Sequence, residues 1–518
     1  MLESTGFCPG PKLALEVSVL EREAWLDLAR KLDWKFSYVR TEEVFPPDVS
    51  GRPWLPTEAW QDWDEPYRTS YGEYVDGQAR KEQAMHAVRD SLGRPDQLKS
   101  LNRGFYSALK LHTATFTLAE FAAVVGNLRG ARFGRDSAWR TMATFGALDE
   151  LRHTQLPLAL LHPYVRNDAQ FDWTHKLYHT NSWIAIAARH LVDELLLYAD
   201  PVEFAIGANF VFETGFTNLQ FMGLTRLAER MNEPLFRTLL GSIQTDEARH
   251  AQIGEPVLAI IAKHDRAYAQ RLLDKWFWRS FQLFSVVTGF AMDYLTPLAQ
   301  RTSSFKEFVE EWVVGQYLES IESLGLQRPW YWPQFLTALD HYHHMVYASA
   351  YTYRATTWFD FVLPGPEERA WLAIKYPASW PGFAPVWQRI EQRWSESDVG
   401  IDFQVHGSSI IGFCSLCQLV LCHGTPQQNT AATATIDGQP YIFCSEPCRV
   451  LFEQDKARYQ GHHELVQRVL RGEAPGNLLA MLTEYFELDY DTWGKDALRG
   501  DYPWLQRTTR VPKPENAP

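Results

Sequence analysis

Two six-residue segments, Leu148-Asp149-Glu150-Leu151-Arg152-His153 and Thr245-Asp246-Glu247-Ala248-Arg249-His250, both carry Asp-Glu-x-Arg-His. With 16 histidines in the chain, roughly one Glu-x-x-His is expected by chance at ordinary Glu usage. Only two of the 16 follow a Glu at that spacing, and those two also share an Asp and an Arg. Residues i and i+3 sit on one helix face about a turn apart. A carboxylate and an imidazole so placed can bind one metal ion, or the carboxylate can reach a second. The repeat therefore constrains the fold to helices that face each other in pairs.

The rest of the ligand set follows from the same logic. A di-iron carboxylate bundle takes one further Glu from each of two other helices. Glu120 precedes Glu150 by 30 residues and Glu213 precedes Glu247 by 34, intervals that suit two antiparallel helix hairpins. Both lie in apolar stretches, around Phe116–Phe121 and Phe210–Gly215, where an unpaired Glu is expensive. Helical spacing places Phe116, Glu120, Ala123 and Asn127 on one face, and Thr144, Leu148, Leu151 and Gln155 on another. Four carboxylates and two ferrous ions cancel in charge. Oxygen and nitrogen ligands with carboxylate bridges suit iron or manganese better than zinc or copper.

Neighbouring polar residues extend the site. Asp149 and Asp246 are candidates to accept the second N–H of the metal-binding histidines, along the helix or across the pair, with Arg152 and Arg249 beside them. Thr217 falls one turn after Glu213, followed by Asn218, and Gln244 falls one turn before Glu247. A hydroxyl at Thr217 can pass a proton at an oxygen-activating centre, or simply bond its own helix backbone.

Composition excludes some functions. A net charge of −13 lacks the basic footprint that nucleic acid requires. No run of 18 consecutive apolar residues occurs, so no membrane-spanning helix is expected. Met1–Leu15 shows no charged region followed by an apolar one, so a cytoplasmic protein is expected.

The expected fold class is mainly α: a ferritin-like helical bundle with extra helices and a small C-terminal α+β module. Residues 1–95, rich in Trp, Pro and Tyr, read as an irregular arm with short helices. Residues 96–362 read as the bundle with its supporting helices. The proline-rich stretch 363–403 reads as a linker, 404–460 as a cysteine module and 461–518 as a tail. In the module, Cys414-x-x-Cys417 and Cys444-x-x-x-Cys448 flank strands at Thr433–Ile436 and Tyr441–Phe443, joined by a turn at Asp437-Gly438. Four cysteines at this spacing form a closed structural zinc pattern, with Cys422 as an alternative ligand.

Taken together, Glu120, Asp149-Glu150-Leu151-Arg152-His153, Glu213 and Asp246-Glu247-Ala248-Arg249-His250 resemble the alpha subunit of bacterial multicomponent monooxygenases. Met142-Ala143-Thr144-Phe145-Gly146, Glu213-Thr214-Gly215-Phe216-Thr217-Asn218, Ser242-Ile243-Gln244-Thr245 and Arg328-Pro329-Trp330-Tyr331-Trp332 place it nearest the toluene and alkene branch. The resemblance implies two irons held by Glu120, Glu150, His153, Glu213, Glu247 and His250. It implies hydroxylation or epoxidation of a small hydrocarbon by O2. It also implies two copies each of alpha, beta and gamma subunits, an effector protein, and a reductase or Rieske ferredoxin that handles NADH in place of this chain. In it, Thr217, Asn218 and Gln244 tune oxygen activation or gate access, and Phe116, Ala119, Ala123, Val192, Leu196, Phe212 and Phe221 line the substrate pocket. Phe116 stands where the toluene branch commonly has a smaller aliphatic. The cysteine module resembles the zinc module of the phenol hydroxylase branch. A radical scaffold like the small subunit of ribonucleotide reductase would need a Tyr one turn after His153, where Pro157 stands. An iron-storage bundle would need neither the apolar pocket nor the cysteine module.

Overall fold

The computed structural model describes residues 21–65, 69–92, 100–165, 183–352, 362–396, 410–422 and 432–460. After α1 (Arg22–Lys31) and two single-turn helices comes α2 (Tyr71–Leu92). Two long hairpins follow. The first pairs α3 (Arg103–Phe133) with α4 (Ser137–Val165). The second pairs α6 with α7 (Pro234–His264), where α6 runs from Pro201 to Arg230 with a π-helical centre at Ala205–Thr217. Between the hairpins lies α5 (Trp183–Val192), extended by a π-helical stretch at Asp193–Tyr198.

Local chemistry sets these boundaries. Asn102 caps α3 by accepting from the backbone N–H of Gly104 and Phe105, at 2.9 and 3.2 Å. Asp200 caps α6 in the same way, ahead of Pro201 at the first helical position, where proline's missing N–H is harmless. The second hairpin is held close by Gly254: a Cβ there would lie 2.5 Å from the backbone N of Phe210, so α6 and α7 approach backbone to backbone.

The first hairpin is apolar on both sides. Phe121, Val125, Leu128, Leu148, Leu151 and Leu158 are exposed. The face of Thr144, Leu148, Leu151 and Gln155 thus points outward, while Glu150 and His153 point in. Helix α3 is long and apolar enough, by length and composition, to cross a membrane. It carries Glu120 and packs within the bundle, as a core helix of a folded protein passes the same test.

Two segments differ from the sequence expectation. The arm contains a 22-residue helix, α2, where only short helices were expected. Ser70 and Glu73 start it with reciprocal bonds: the Ser70 N–H donates to Glu73 at 2.9 Å, and the Glu73 N–H donates to the Ser70 hydroxyl at 3.3 Å. The stretch 363–403, expected as a linker with short turns, forms two helices at Pro366–Lys375 and Trp380–Glu396. Pro366 opens the first of them, so this proline marks a helix start rather than a break.

Helix α8 (Arg266–Phe284) and α10 (Trp332–Thr352), with α9 (Phe305–Val309) between them, form a layer behind the second hairpin. From Leu272 to Gln282 helix α8 is buried around its circumference, including Lys275, Arg279 and Gln282. Lys275 and Arg279 are paired: Lys275 with Glu194 at 2.6 Å and Glu203 at 2.9 Å, and Arg279 with Glu194 at 3.2 Å. The cysteine module lies against this helix. It contains β1 (Ile410–Phe413) with β2 (Val420–Cys422), and β3 (Ala432–Ile436) with β4 (Gln439–Phe443), both pairs antiparallel. Asp437 and Gly438 turn the second hairpin with φ of 51° and 80°, the left-handed pair a tight two-residue turn needs. The tail 461–518 and the side chain of Cys422 lie outside the described residues.

Candidate metal centre and its cavity

The four long bundle helices deliver six side chains to one point. His153 Nδ1 lies 3.6 Å from Glu120, 3.3 Å from Glu150 and 3.1 Å from Glu247. His250 Nδ1 lies 3.4 Å from Glu150, 3.3 Å from Glu213 and 3.2 Å from Glu247. Two clusters result: Glu120, Glu150, His153 and Glu247, then Glu150, Glu213, Glu247 and His250. Glu150 and Glu247 belong to both, each turning one oxygen to each histidine. The arrangement offers two adjacent groups that could each hold a cation, with Glu150 and Glu247 common to both and Glu120 and Glu213 each belonging to one.

The donor set calls for positive charge. His153 Nδ1 and one Glu150 oxygen are buried without a hydrogen-bond partner. Burial, then the charges of Glu247 and Glu120, push Glu150 well above the usual carboxylate range. Burial also pushes Glu213 up. Glu247, despite burial, is held down to about 2 by His250 and His153. Both imidazoles hold protons far above their ordinary range despite burial. The nearby Asp246 and Glu120 carboxylates lead for His153, and the charges of Glu213 and Glu247 lead for His250. Oxygen and imidazole donors of this kind fit iron.

The Asp pair works across the helices. Asp246 of α7 lies 3.2 Å from His153 Nε2 of α4, and Asp149 of α4 lies 3.6 Å from His250 Nε2 of α7. Arg152 donates to Asp246 at 2.6 Å and Arg249 to Asp149 at 2.7 Å. Helix α2 adds residues that the sequence reading missed. Tyr74 donates to Asp149 at 2.9 Å, Lys81 pairs with Asp246 at 2.5 Å, and Glu82 accepts from Arg152 at 2.7 Å. Gln78 donates to both Asp149 and Asp246. The Ser70-x-x-Glu73 capping signature was the available signal for this helix.

One face of the carboxylate–histidine cluster opens on an apolar cavity with about 80 Å³ of room for the centres of water-sized molecules. Phe116, Ala119, Ala123, Val192, Leu196, Phe212 and Phe221 all border it, with Glu120, Glu150, Glu213, Glu247 and Thr217. Thr115, Leu191, Leu195, Gln220, Leu283, Phe284 and Val287 complete the wall; those from α8 and beyond are brought in by tertiary packing that spacing does not reveal. Thr217 donates to the Glu213 carbonyl at 3.3 Å while bordering the cavity. Asn218 and Gln244 are half-buried and stand off the cavity wall. Asn209, also missed, donates to Glu213 at 3.0 Å.

The four cysteines meet as a second cluster, all buried, with sulfurs within 4.8 Å of one another. Tetrahedral zinc with Zn–S bonds near 2.3 Å places sulfurs about 3.8 Å apart; Cys417 and Cys444 are 3.9 Å apart and Cys444 and Cys448 3.3 Å. Trp278 and Gln282 of α8 donate to Cys448 at 3.2 and 3.3 Å. A third group, Asp293, His343 and His344, is largely closed on itself. Asp293 accepts from His343 at 2.8 Å, from the Phe305 N–H at 3.0 Å and from Tyr376, and His344 meets Tyr294 at 2.7 Å.

Comparison with known proteins agrees with this geometry. The family model for methane, phenol and alkene hydroxylases matches residues 34–265. Over 94% of its length the chain is 37% identical to the oxygenase component alpha subunit of the alkene monooxygenase system of Xanthobacter autotrophicus, covering 98% of that protein. It is 27% identical, over 89% of both chains, to the DmpN oxygenase component of phenol 2-monooxygenase from Pseudomonas sp. strain CF600. The crystal structure of phenol hydroxylase from Pseudomonas sp. OX1 has the same fold, with a TM-score of 0.79 at 24% identity over 94% of this chain and 99% of that one. The chain belongs to the methane, phenol and alkene hydroxylase family, as the catalytic oxygenase subunit of a multicomponent monooxygenase.

Proposed function

We propose that this chain holds two irons per molecule at Glu120, Glu150, His153, Glu213, Glu247 and His250, and inserts one oxygen atom of O2 into a small hydrocarbon. One observation carries the reading: two carboxylates shared between two histidines form the wall of a small apolar cavity. When bound, the irons supply O2 activation. The chain's own residues supply placement. Phe116, Ala119, Ala123, Val192, Leu196, Phe212 and Phe221 hold an apolar substrate against the cluster and keep water out, which strengthens every charge interaction inside. The Thr217 hydroxyl, on the cavity wall, is the group placed to hold or pass a proton. Asn218 and Gln244, off that wall, act on access.

The small volume and apolar wall favour an alkene or a single aromatic ring, and the relation to an alkene monooxygenase component puts the alkene first. Cys414, Cys417, Cys444 and Cys448 hold one structural zinc that pins the module to α8. Electrons from NADH arrive through a separate reductase or Rieske ferredoxin, with beta and gamma subunits and an effector protein completing a cytoplasmic complex. Metal analysis of the assembled oxygenase tests the centre: about two irons and one zinc per chain are expected, and zinc alone would overturn the catalytic assignment. A panel of alkenes and aromatics, run with the cognate reductase and effector, names the substrate. Full turnover by the isolated chain would overturn the dependence on partners.

A further inference from the structure

One side chain outside the bundle touches both halves of the metal centre. Gln78 of α2 donates from its amide nitrogen to Asp149 at 2.7 Å and to Asp246 at 2.9 Å. Those two carboxylates face the outer nitrogens of His250 and His153 respectively. The other partners are unevenly shared. Tyr74 reaches Asp149, whereas Lys81 and Arg152 reach Asp246; Arg249 reaches both from within α7. The Gln78 carbonyl oxygen is buried without a partner, so the residue is held by its donor end and not by a closed amide network. Two carboxylates on different helices, brought this close, repel each other, and a shared neutral donor is a means of fixing their separation.

We propose that Gln78 is a positioning residue for the metal centre, which sets both outer carboxylates at once and so tunes the two irons together. The reasoning runs through ligand basicity. A carboxylate that accepts from a metal-bound histidine raises the basicity of that ligand. A hydrogen bond donated into the same carboxylate by Gln78 draws off part of that effect. Loss of the donor leaves both carboxylates more negative toward the imidazoles they face, Asp246 at 3.2 Å from His153 and Asp149 at 3.6 Å from His250, which favours the ferric state of both irons and most at the His153 side. The inference rests on the di-iron reading above.

The test is reductive titration of the assembled, iron-loaded oxygenase, followed by electron paramagnetic resonance and Mössbauer spectroscopy. Gln78→Met keeps length and volume but donates nothing. Expected is retention of two irons per chain with both one-electron couples moved to lower potential. The ferric-to-ferrous ratio at fixed potential should rise by up to about tenfold, equivalent to 59 mV for one electron. Lys81→Met, which removes a partner of Asp246 alone, should move the two couples unequally. If Gln78→Met fails to retain iron, Gln78→Asn is measured instead; its shorter amide cannot span both carboxylates, so unequal movement is expected. Unmoved couples in whichever of the two variants retains iron overturn the proposal, as does loss of iron from both. Wild-type protein that holds no iron overturns the di-iron reading itself, so the two failures are distinct.

Discussion

Asp246 on α7 lies 3.2 Å from the outer nitrogen of His153 on α4, so the carboxylate that fixes one histidine belongs to the helix that carries the other. The reciprocal pair, Asp149 with His250, is wider at 3.6 Å, and the outer nitrogen of His250 is left without a hydrogen bond. The repeat is therefore symmetric in sequence and asymmetric in space. Exchange of Asp partners between α4 and α7 ties the two helices to each other through the two histidines.

That asymmetry predicts unequal mutants. Asp246→Asn should lower iron affinity by about 10–100-fold, the usual effect of losing an outer carboxylate, while Asp149→Asn should lower it less. Iron titration of the two apo-proteins measures both. Equal losses would show that the difference between 3.2 and 3.6 Å has no energetic meaning.

The shared carboxylates predict a second contrast. Glu150 and Glu247 belong to both cation sites, but Glu120 belongs to one. Glu150→Ala should leave less than one iron per chain. Glu120→Ala should keep iron on the His250 side, giving about one per chain. Metal analysis with Mössbauer spectra separates these outcomes, and retention of two irons by Glu150→Ala would remove the bridging assignment.

The convergence of four Glu and two His was legible because an i, i+3 pair on a helix leaves a fixed mark in sequence, and the mark occurs twice. The cavity wall on α3, α5 and α6 came from the family resemblance, carried over by spacing from the carboxylate and histidine positions. The Cys module was legible from its spacing and its Asp437-Gly438 turn. What escaped was contact between distant segments. Tyr74, Gln78 and Lys81 sit in a segment whose Trp and Pro content suggested irregular chain, although Ser70 and Glu73 announced a helix. Trp278 and Gln282 reach the cysteines from some 170 residues away, and nothing local marks them. Prolines misled at 366 because a helix-opening proline and a linker proline look alike in sequence.

The buried ions behind the second hairpin predict a pH dependence. Glu194 is held well below its ordinary range, despite burial, by Lys275 and Arg279, and Glu203 is lowered by Lys275 and Arg458. A depressed folded-state pKa contributes stability that is present above the unfolded value and lost as pH falls toward the folded one. Lys275→Met leaves those carboxylates short of a partner and should cost about 3–5 kcal/mol at pH 7. Below about pH 4.3, where unfolded glutamate protonates, the gap to wild type should narrow. Melting curves at both pH values check this, and a gap independent of pH would assign the loss to packing.

Phe116 lies one helical turn before Glu120 on α3, borders the cavity and meets Phe221 edge-on at 5.4 Å between ring centroids. It is also buried, so two effects of Phe116→Ala compete. As a packing residue it should cost roughly 3–5 kcal/mol when truncated. As a cavity wall, its removal should also add room beside the metal ligands, accept larger substrates and let a ring or double bond turn. A shift of about 1 Å in the reacting atoms can change rate on the order of 100-fold, so product ratios should move even where total turnover survives. Iron content should stay the same, because Phe116 donates nothing to the metals. Product ratios, melting temperature and iron content measured on one preparation separate the contributions. A lowered melting point with unchanged ratios would make Phe116 a packing residue only, whereas altered ratios at full iron content would make it a determinant of which bond is oxidised.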